Sequence, residues 1–349
     1  MATIKDIANL AGVSAATVSY VLNRTKRLSP EVEARVLKAV EQTNYQPNNI
    51  AKSLRMKKTN IIGVLVEDIC GMPVPEIVDG INQFLEGSEY QVLLSNLRLL
   101  QKLHNRYEQL TKYTDIVNRG MRLMENARVD GIIYVAMHDR LITGIRHPVH
   151  IPMAYAYAIT DSPDVPSITY DNENSAYEIT RKLIDAGHRR IALIAGHSAS
   201  TDAQQRLSGF RAAMDEADLY VPSEYIRWGD WEFQSGLEQG GALMDMNTRP
   251  TGIFSMNDTM AVGCYRAIKN FGFHIPEDIS VVGFDNREIA QLINPPLTTV
   301  ALPNNQIGYQ AAKHLLARIQ KTEAVPLEMV LPCRIIERDS VAPVAERPA

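Results

Sequence analysis

The chain has 349 residues, enough for more than one domain and a sizeable buried core. Its composition, 45% hydrophobic and 22% charged, is that of a globular protein, and no apolar run reaches the roughly 18 residues of a membrane span. The net charge of −4 conceals an asymmetry: residues 1–58 carry ten Lys/Arg against four Asp/Glu (+6), and the remainder carries 26 against 36 (−10).

A basic head on an acidic body is the pattern of a chain whose head meets a polyanion. The first stretch, MATIKDIANLAG, has no apolar segment followed by a cleavage site, so a cytoplasmic location is expected. Ile4, Ile7, Ala8 and Leu10 or Ala11 have helical spacing. Gly12 suits a left-handed helix end, and Ser14 can cap a second helix whose apolar face is Ala16, Val18, Val21 and Leu22. Two short helices around a glycine corner make a helix-turn-helix. A third helix is expected with Ser29 as cap, Pro30 at its first position, and Val32, Val36, Leu37 and Val40 facing inward. Ile7, Ala8, Val18, Val21, Val36 and Val40 would form a small core. Pro47 ends the pattern and Asn48 is a good cap for NNIAKSLRM, a stretch too short to be a stable helix alone.

The stretches ATIKDIANLAGVSAATVSYVLN and LSPEVEARVLKAVEQTNYQPNNIAKSLR resemble the DNA-binding head and hinge of the lactose/galactose repressor (LacI/GalR) family, almost without gaps over residues 2–58 and more loosely to Ser340. The resemblance implies a second helix lying in the DNA major groove. It puts Ala15, Ala16 and Tyr20 at base-reading positions, and Thr3, Ser14, Thr17, Ser19 and Asn23 at phosphate-contacting or bracing ones. Family members often have arginine where this chain has Tyr20, and a tyrosine replaces the arginine fork with one hydroxyl and a ring. In the hinge the implied contacts are Asn48, Ala51 and Leu54, with Leu54 as the apolar wedge in the minor groove. Arg55, Lys57 and Lys58 would neutralise phosphates and make binding salt-dependent.

From residue 61 short apolar runs alternate with helical segments. IIGVLV, QVLLSN, DGIIYVA, IPMAYAY, RIALIAG, TGIFSMN and ISVVGF are expected strands. NSAYEITRKLIDAG and AQQRLSGFRAAMDEA are expected helices. This alternation predicts an α/β body with parallel sheets, in two lobes. The family likeness implies a body like a periplasmic sugar-binding protein. One lobe would be residues 60–160 plus 293–322, and the other 163–290 plus the end. The expected domains are a head at 1–47, a hinge helix at 48–58, a body at 59–341 and a tail at 342–349.

The resemblance further implies an effector pocket holding Arg206, Asp285, Asn257, Trp231, Tyr170 and Tyr157. Asp258 next to Asn257 reads more simply as a helix cap. Tyr157 and Leu302 stand where polar pocket residues occur in relatives, so a more apolar cleft is expected. The connection between Leu97 and Asn126 is about a dozen residues longer than usual, helical and amphipathic in composition. Cys70, Cys264 and Cys333 are too dispersed for a disulfide framework or a metal site. No G-x-G-x-x-G, phosphate-binding loop, nucleophile elbow or H-E-x-x-H occurs, so neither catalysis nor a cofactor is expected. The expectation is a homodimeric regulator on near-palindromic operator DNA, controlled by a small molecule, most simply a sugar. A regulator controlled by a protein partner, or a sugar-binding protein without regulatory role, are the alternatives.

Overall fold

The computed structural model describes residues 2–23, 26–45, 58–103 and 112–344. The chain packs as two units, Met1–Thr59 and Asn60–Ala349. In the first, α1 (Ile4–Ala11), α2 (Ala15–Asn23) and α3 (Pro30–Thr43) surround Ile7, Ala8, Ala11, Val18, Val36 and Ala39. Thr3 caps α1 in a reciprocal box with Asp6, its backbone N–H donating to Asp6 Oδ2 at 2.7 Å. Gly12 ends α1 with φ of 62°, and Ser14 Oγ accepts from the Thr17 amide at 3.1 Å to start α2. Three expectations fail here, the first being Ala16, expected on the apolar face of α2 but exposed. Leu37 is 56% exposed, because it lies one residue, or about 100° of helix, away from the buried Val36. Ser29 precedes α3 in extended conformation without a side-chain capping bond; its carbonyl accepts from the Val32 and Glu33 amides at 3.0 and 3.1 Å, and Pro30 occupies the first turn. The hinge positions Asn48, Ala51 and Leu54 lie outside the described residues.

The second unit is two-lobed. Lobe 1 is a parallel sheet in the order β13-β7-β5-β3-β1-β2: Glu328–Leu331, Ser167–Tyr170, Met153–Ala156, Gly131–Val135, Ile61–Val66 and Gln91–Asn96. Lobe 2 is a parallel sheet in the order β11-β10-β8-β9: Ser280–Val282, Gly252–Ser255, Ile191–Ala195 and Ile226–Trp228. All seven expected strands form. They are apolar runs rather than alternating ones because helices cover both faces of a parallel sheet. The lobe boundary differs from expectation: residues 167–170 and 328–331 pair in the first sheet. The segment Asp202–Arg206 belongs to α8 (Thr201–Glu216), which packs on α7 (Asn172–Asp185). Helix α4 (Val74–Leu85) follows β1, α5 (Leu99–Leu103) and α6 (Thr114–Asn126) lie within the long connection after β2, α9 (Phe233–Met244) follows β9, and the short strands β4 (Leu141–Ile142) with β6 (Ile159–Thr160) and β12 (Thr299–Ala301) with β14 (Arg334–Ile336) form two further pairs. The expected tail is partly tied down, since Ala342 and Val344 amides donate to Ser280 Oγ and the Ala186 carbonyl, each at 3.0 Å.

Candidate ligand-binding cleft and nucleic-acid interface

In both parallel sheets the loops at the carboxyl ends of the strands converge on one cleft of about 230 Å³. Lobe 1 contributes Cys70–Pro73 after β1, Leu100 after β2, Met137 and His138 after β3, and Tyr157 after β5. Lobe 2 contributes Asp202 and Arg206 from α8, Trp231 and Glu232 after β9, Asn257 after β10, and Asp285 and Arg287 after β11.

Arg206 organises the floor and is 3% exposed. Its Nε donates to Asn172 Oδ1 at 2.8 Å, one terminal nitrogen to Tyr170 Oη at 2.9 Å, and the other to the Met256 carbonyl. Asp285 lies 3.7 Å from the guanidinium, which also sits 3.7 Å from the centre of the Phe284 ring. Burial works against the Arg206 charge, but Tyr170, Asp285 and Asp202 outweigh it and hold the group protonated. For Asp285 burial prevails, and its carboxyl is pushed up to about 6. Asp202 goes the other way: burial is overcome by the His138 hydrogen bond and the Arg206 charge, so it stays ionised.

Five of the six expected pocket residues line the cleft: Tyr157, Arg206, Trp231, Asn257 and Asp285. Tyr170 stands behind it, 2% exposed and stacked on Tyr157 with ring centres 5.1 Å apart. The Tyr157 hydroxyl donates to Tyr170 Oη at 3.0 Å, and Tyr170 donates to Asp202 at 3.0 Å. Tyr170 is therefore a positioning residue. Asn257 has two roles: its Oδ1 caps α10 (Asp258–Asn270) by accepting from the Met260 amide at 2.8 Å, and its Nδ2 donates to the Trp231 carbonyl at 2.9 Å. Asp258 is buried between Thr299 Oγ1 at 2.6 Å and the Arg287 amide at 2.7 Å, away from the lining.

Backbone strain gathers here. Tyr157, Trp231 and Asp285 have φ of 63°, 75° and 107°, conformations that side-chain-bearing residues rarely adopt. Gly196 makes room for the tryptophan: a Cβ there would lie 2.0 Å from the Trp231 ring.

Asp202 and His138 are cleft residues that the sequence reading missed. His138 Nδ1 is 3.8 Å from Asp202 Oδ2, joining the loop after β3 to α8. Asp202 had a signal, because it lies four residues before Arg206 and so on the same helix face. Nothing local marked His138.

In the first unit Ala15, Ala16 and Tyr20 are all exposed on α2, while Val18 is fully buried. Tyr20 is 41% exposed, with Lys26 Nζ 5.9 Å from its ring centre. Ser14 and Thr17 hydroxyls bond each other at 2.9 Å at the helix start, and Ser19 is half-buried. Thr3 caps α1, and Asn23 is the last residue of α2. The arrangement is a helix presenting small residues and one tyrosine outward. No helix of the described residues is long and apolar enough to cross a membrane.

Two family models match the chain: bacterial regulatory proteins of the lacI family over residues 3–48, and a periplasmic binding protein-like domain over residues 180–341. The HTH-type transcriptional repressor PurR of Vibrio vulnificus (strain CMCP6) is 34% identical over 98% of this chain and 99% of its own. The ribose operon repressor of Haemophilus influenzae is 31% identical over 98% of this chain and 99% of its own. A crystal structure of the lac repressor dimer bound to operator and the anti-inducer ONPF matches with a TM-score of 0.80 and 27% identity, covering 98% of this chain and 99% of that one.

Proposed function

The chain belongs to the lacI family of bacterial regulatory proteins, and we propose that it is a cytoplasmic, homodimeric, non-enzymatic repressor controlled by a small sugar in the interlobe cleft. The carrying observation is the cleft itself. It joins carboxylate and amide acceptors, Asp202, Asp285 and Asn257, with an aromatic face, Trp231. That pairing suits a polyol, whose hydroxyls need acceptors and whose ring has an apolar face. A volume of about 230 Å³ is below the roughly 300–1,000 Å³ of drug-sized sites, which favours a monosaccharide over an oligosaccharide.

The head then reads DNA through Ala15, Ala16 and Tyr20, with Thr3, Ser14, Thr17, Ser19 and Asn23 at the phosphates or bracing the helix. Two heads related by a two-fold axis would read a near-palindrome. The dimer on operator in the lac repressor structure supports this geometry. The hinge residues Asn48, Ala51 and Leu54 complete the contact in the minor groove. Ligand binding shifts the population between two lobe arrangements, and the hinges of the dimer respond.

Thermal unfolding against mono- and oligosaccharides, sugar phosphates and nucleosides tests this. A ligand at about 100 times its Kd adds about 2.7 kcal/mol, a clear shift. The expected result is a shift with one sugar class that disappears in Arg206→Ala. No shift with any compound would reject the sugar effector and point to a protein partner on the long 97–126 connection.

A further inference from the structure

Asp285 sits where the chain turns out of β11, and two left-handed residues make that turn, Asp285 at φ of 107° and Asn286 at 53°. The bonds that hold the turn come from behind the cleft. The Asp285 amide donates to the Val300 carbonyl at 2.9 Å, the Asn286 amide to Thr299 Oγ1 at 3.4 Å, and the Arg287 amide to Asp258 Oδ2 at 2.7 Å. The Asn286 side-chain oxygen accepts from one terminal nitrogen of Arg338 at 2.7 Å, and the other terminal nitrogen donates to the Leu297 carbonyl at 2.7 Å. Both of these acceptors are neutral, so the guanidinium serves here as a rigid fork that spaces two groups. The Arg338 main chain is fixed as well: Thr298 Oγ1 accepts from its amide at 2.9 Å and donates to its carbonyl at 3.0 Å.

These partners lie where the chain passes between the lobes. Lobe 2 gives way to lobe 1 at β12, between α11 (Glu288–Leu292) and α12 (Asn304–Gln320). Lobe 1 returns to lobe 2 after β14, where Ser340 Oγ donates to the Val281 carbonyl at 2.6 Å. The two crossing strands pair antiparallel, with Thr299 opposite Ile336 and Ala301 opposite Arg334. The turn that carries Asp285 is therefore bonded to both crossings, and a change of angle between lobes is absorbed in such connecting segments. Left-handed residues with side chains persist only where their surroundings over-determine them. We infer that Arg338 is a positioning residue for the effector site: through Asn286 it holds the Asp285 carboxylate at the angle that meets a ligand hydroxyl, and it ties that angle to the crossings between the lobes. Neither Arg338 nor Asn286 lines the cleft. This role rests on the sugar reading of the cleft, in which Asp285 is an acceptor.

Two measurements on the full-length protein test it, one without ligand and one with. Amide hydrogen exchange over residues 283–288 should quicken at least roughly tenfold in Arg338→Met and in Asn286→Gly, while β8 keeps its native rate. Glycine keeps the left-handed turn accessible and removes the acceptor, so Asn286→Gly tests the bond even where Arg338→Met does not fold. The second measurement is isothermal titration with glucose, galactose and ribose. The sugar that the native chain binds should bind roughly tenfold more weakly to either variant, the share of one hydrogen bond to a charged group. The double variant should bind no more weakly than the single ones, because both remove the same bond. Burial is the largest influence on the Asp285 carboxyl and raises it; Arg206 and Arg287 lower it, and Asp202 and Glu76 raise it. Loosening the turn should therefore also move the acid-side fall of affinity to lower pH, which a general loss of stability would not do. Faster exchange with unchanged affinity and pH profile would overturn the positioning role and leave the sugar effector standing. Unchanged exchange in both variants would overturn the clamp whether or not a sugar binds. Binding of none of the three sugars to the native chain would overturn the sugar reading, and the positioning role with it.

Discussion

Asp285 is held between Arg206 and the open cleft, at a left-handed φ of 107°, with its carboxyl raised to about 6 by burial. A sugar hydroxyl donates more strongly to the ionised carboxylate than to the neutral acid. Effector affinity should therefore be full above about pH 6 and fall by up to about tenfold per pH unit below it, as Asp285 takes up its proton. The group's pKa is raised, so the loss comes on the acid side. Asp202, held ionised by His138 and Arg206, adds no step in that window. Calorimetric titration across that range should show the slope in the native chain and not in Asp285→Asn; an identical slope in both would assign the titration elsewhere. Gly196 offers a second test at this scale. With only 2.0 Å between its missing Cβ and the Trp231 ring, Gly196→Ala must displace the ring. The expected cost is about 1–3 kcal/mol of stability from overpacking, with effector affinity reduced and a shift in tryptophan emission. Unchanged emission and affinity would mean that the ring has room the packing does not show.

At the scale of elements, the head depends on the corner between α1 and α2. Gly12 closes α1 at φ of 62°, and the nearest atom to a Cβ there, on Arg35, is 4.0 Å away. Space is free, so Gly12→Ala should cost only the conformational penalty, about 1–2 kcal/mol, with Gly12→Asn costing less. Melting of the head helices by circular dichroism should rank Gly, Asn, Ala in that order. An alanine variant as stable as the native chain would show that the corner does not require the left-handed residue. This corner was legible in the sequence because glycine and a capping serine mark it within three residues. The strands were legible for a similar reason, being short apolar runs with both faces covered. The assignment of β7 to lobe 1 was not, because its partner β13 lies some 160 residues away and no local signal carries a parallel register. The cleft was legible where a family motif marked the residue, as for Arg206 and Asp285. It was hidden at His138 and Leu100, which come together only because separate strands end at the same edge, whereas Asp202 was marked only by its helix spacing from Arg206.

For the whole molecule, the proposed effector cleft and the proposed DNA-reading helix lie in separate packed units, Asn60–Ala349 and Met1–Thr59. The charge is divided in the same way, +6 over residues 1–58 and −10 over the rest. The chain that joins them connects one to the other, and in that stretch Leu54 is the residue proposed to wedge into the minor groove. An apolar wedge repays the unstacking it causes with a bent duplex that contacts more protein. Leu54→Ala should therefore weaken operator binding by at least about tenfold, the share of one lost wedge, while effector affinity of the free protein stays within about twofold. It should also flatten the effector's influence on DNA, since the heads alone would hold DNA equally in both lobe arrangements. Fluorescence anisotropy with labelled operator, with and without effector, measures both quantities. Loss of operator affinity with the effector response intact would place the coupling outside Leu54. Undiminished operator affinity would refute the wedge itself.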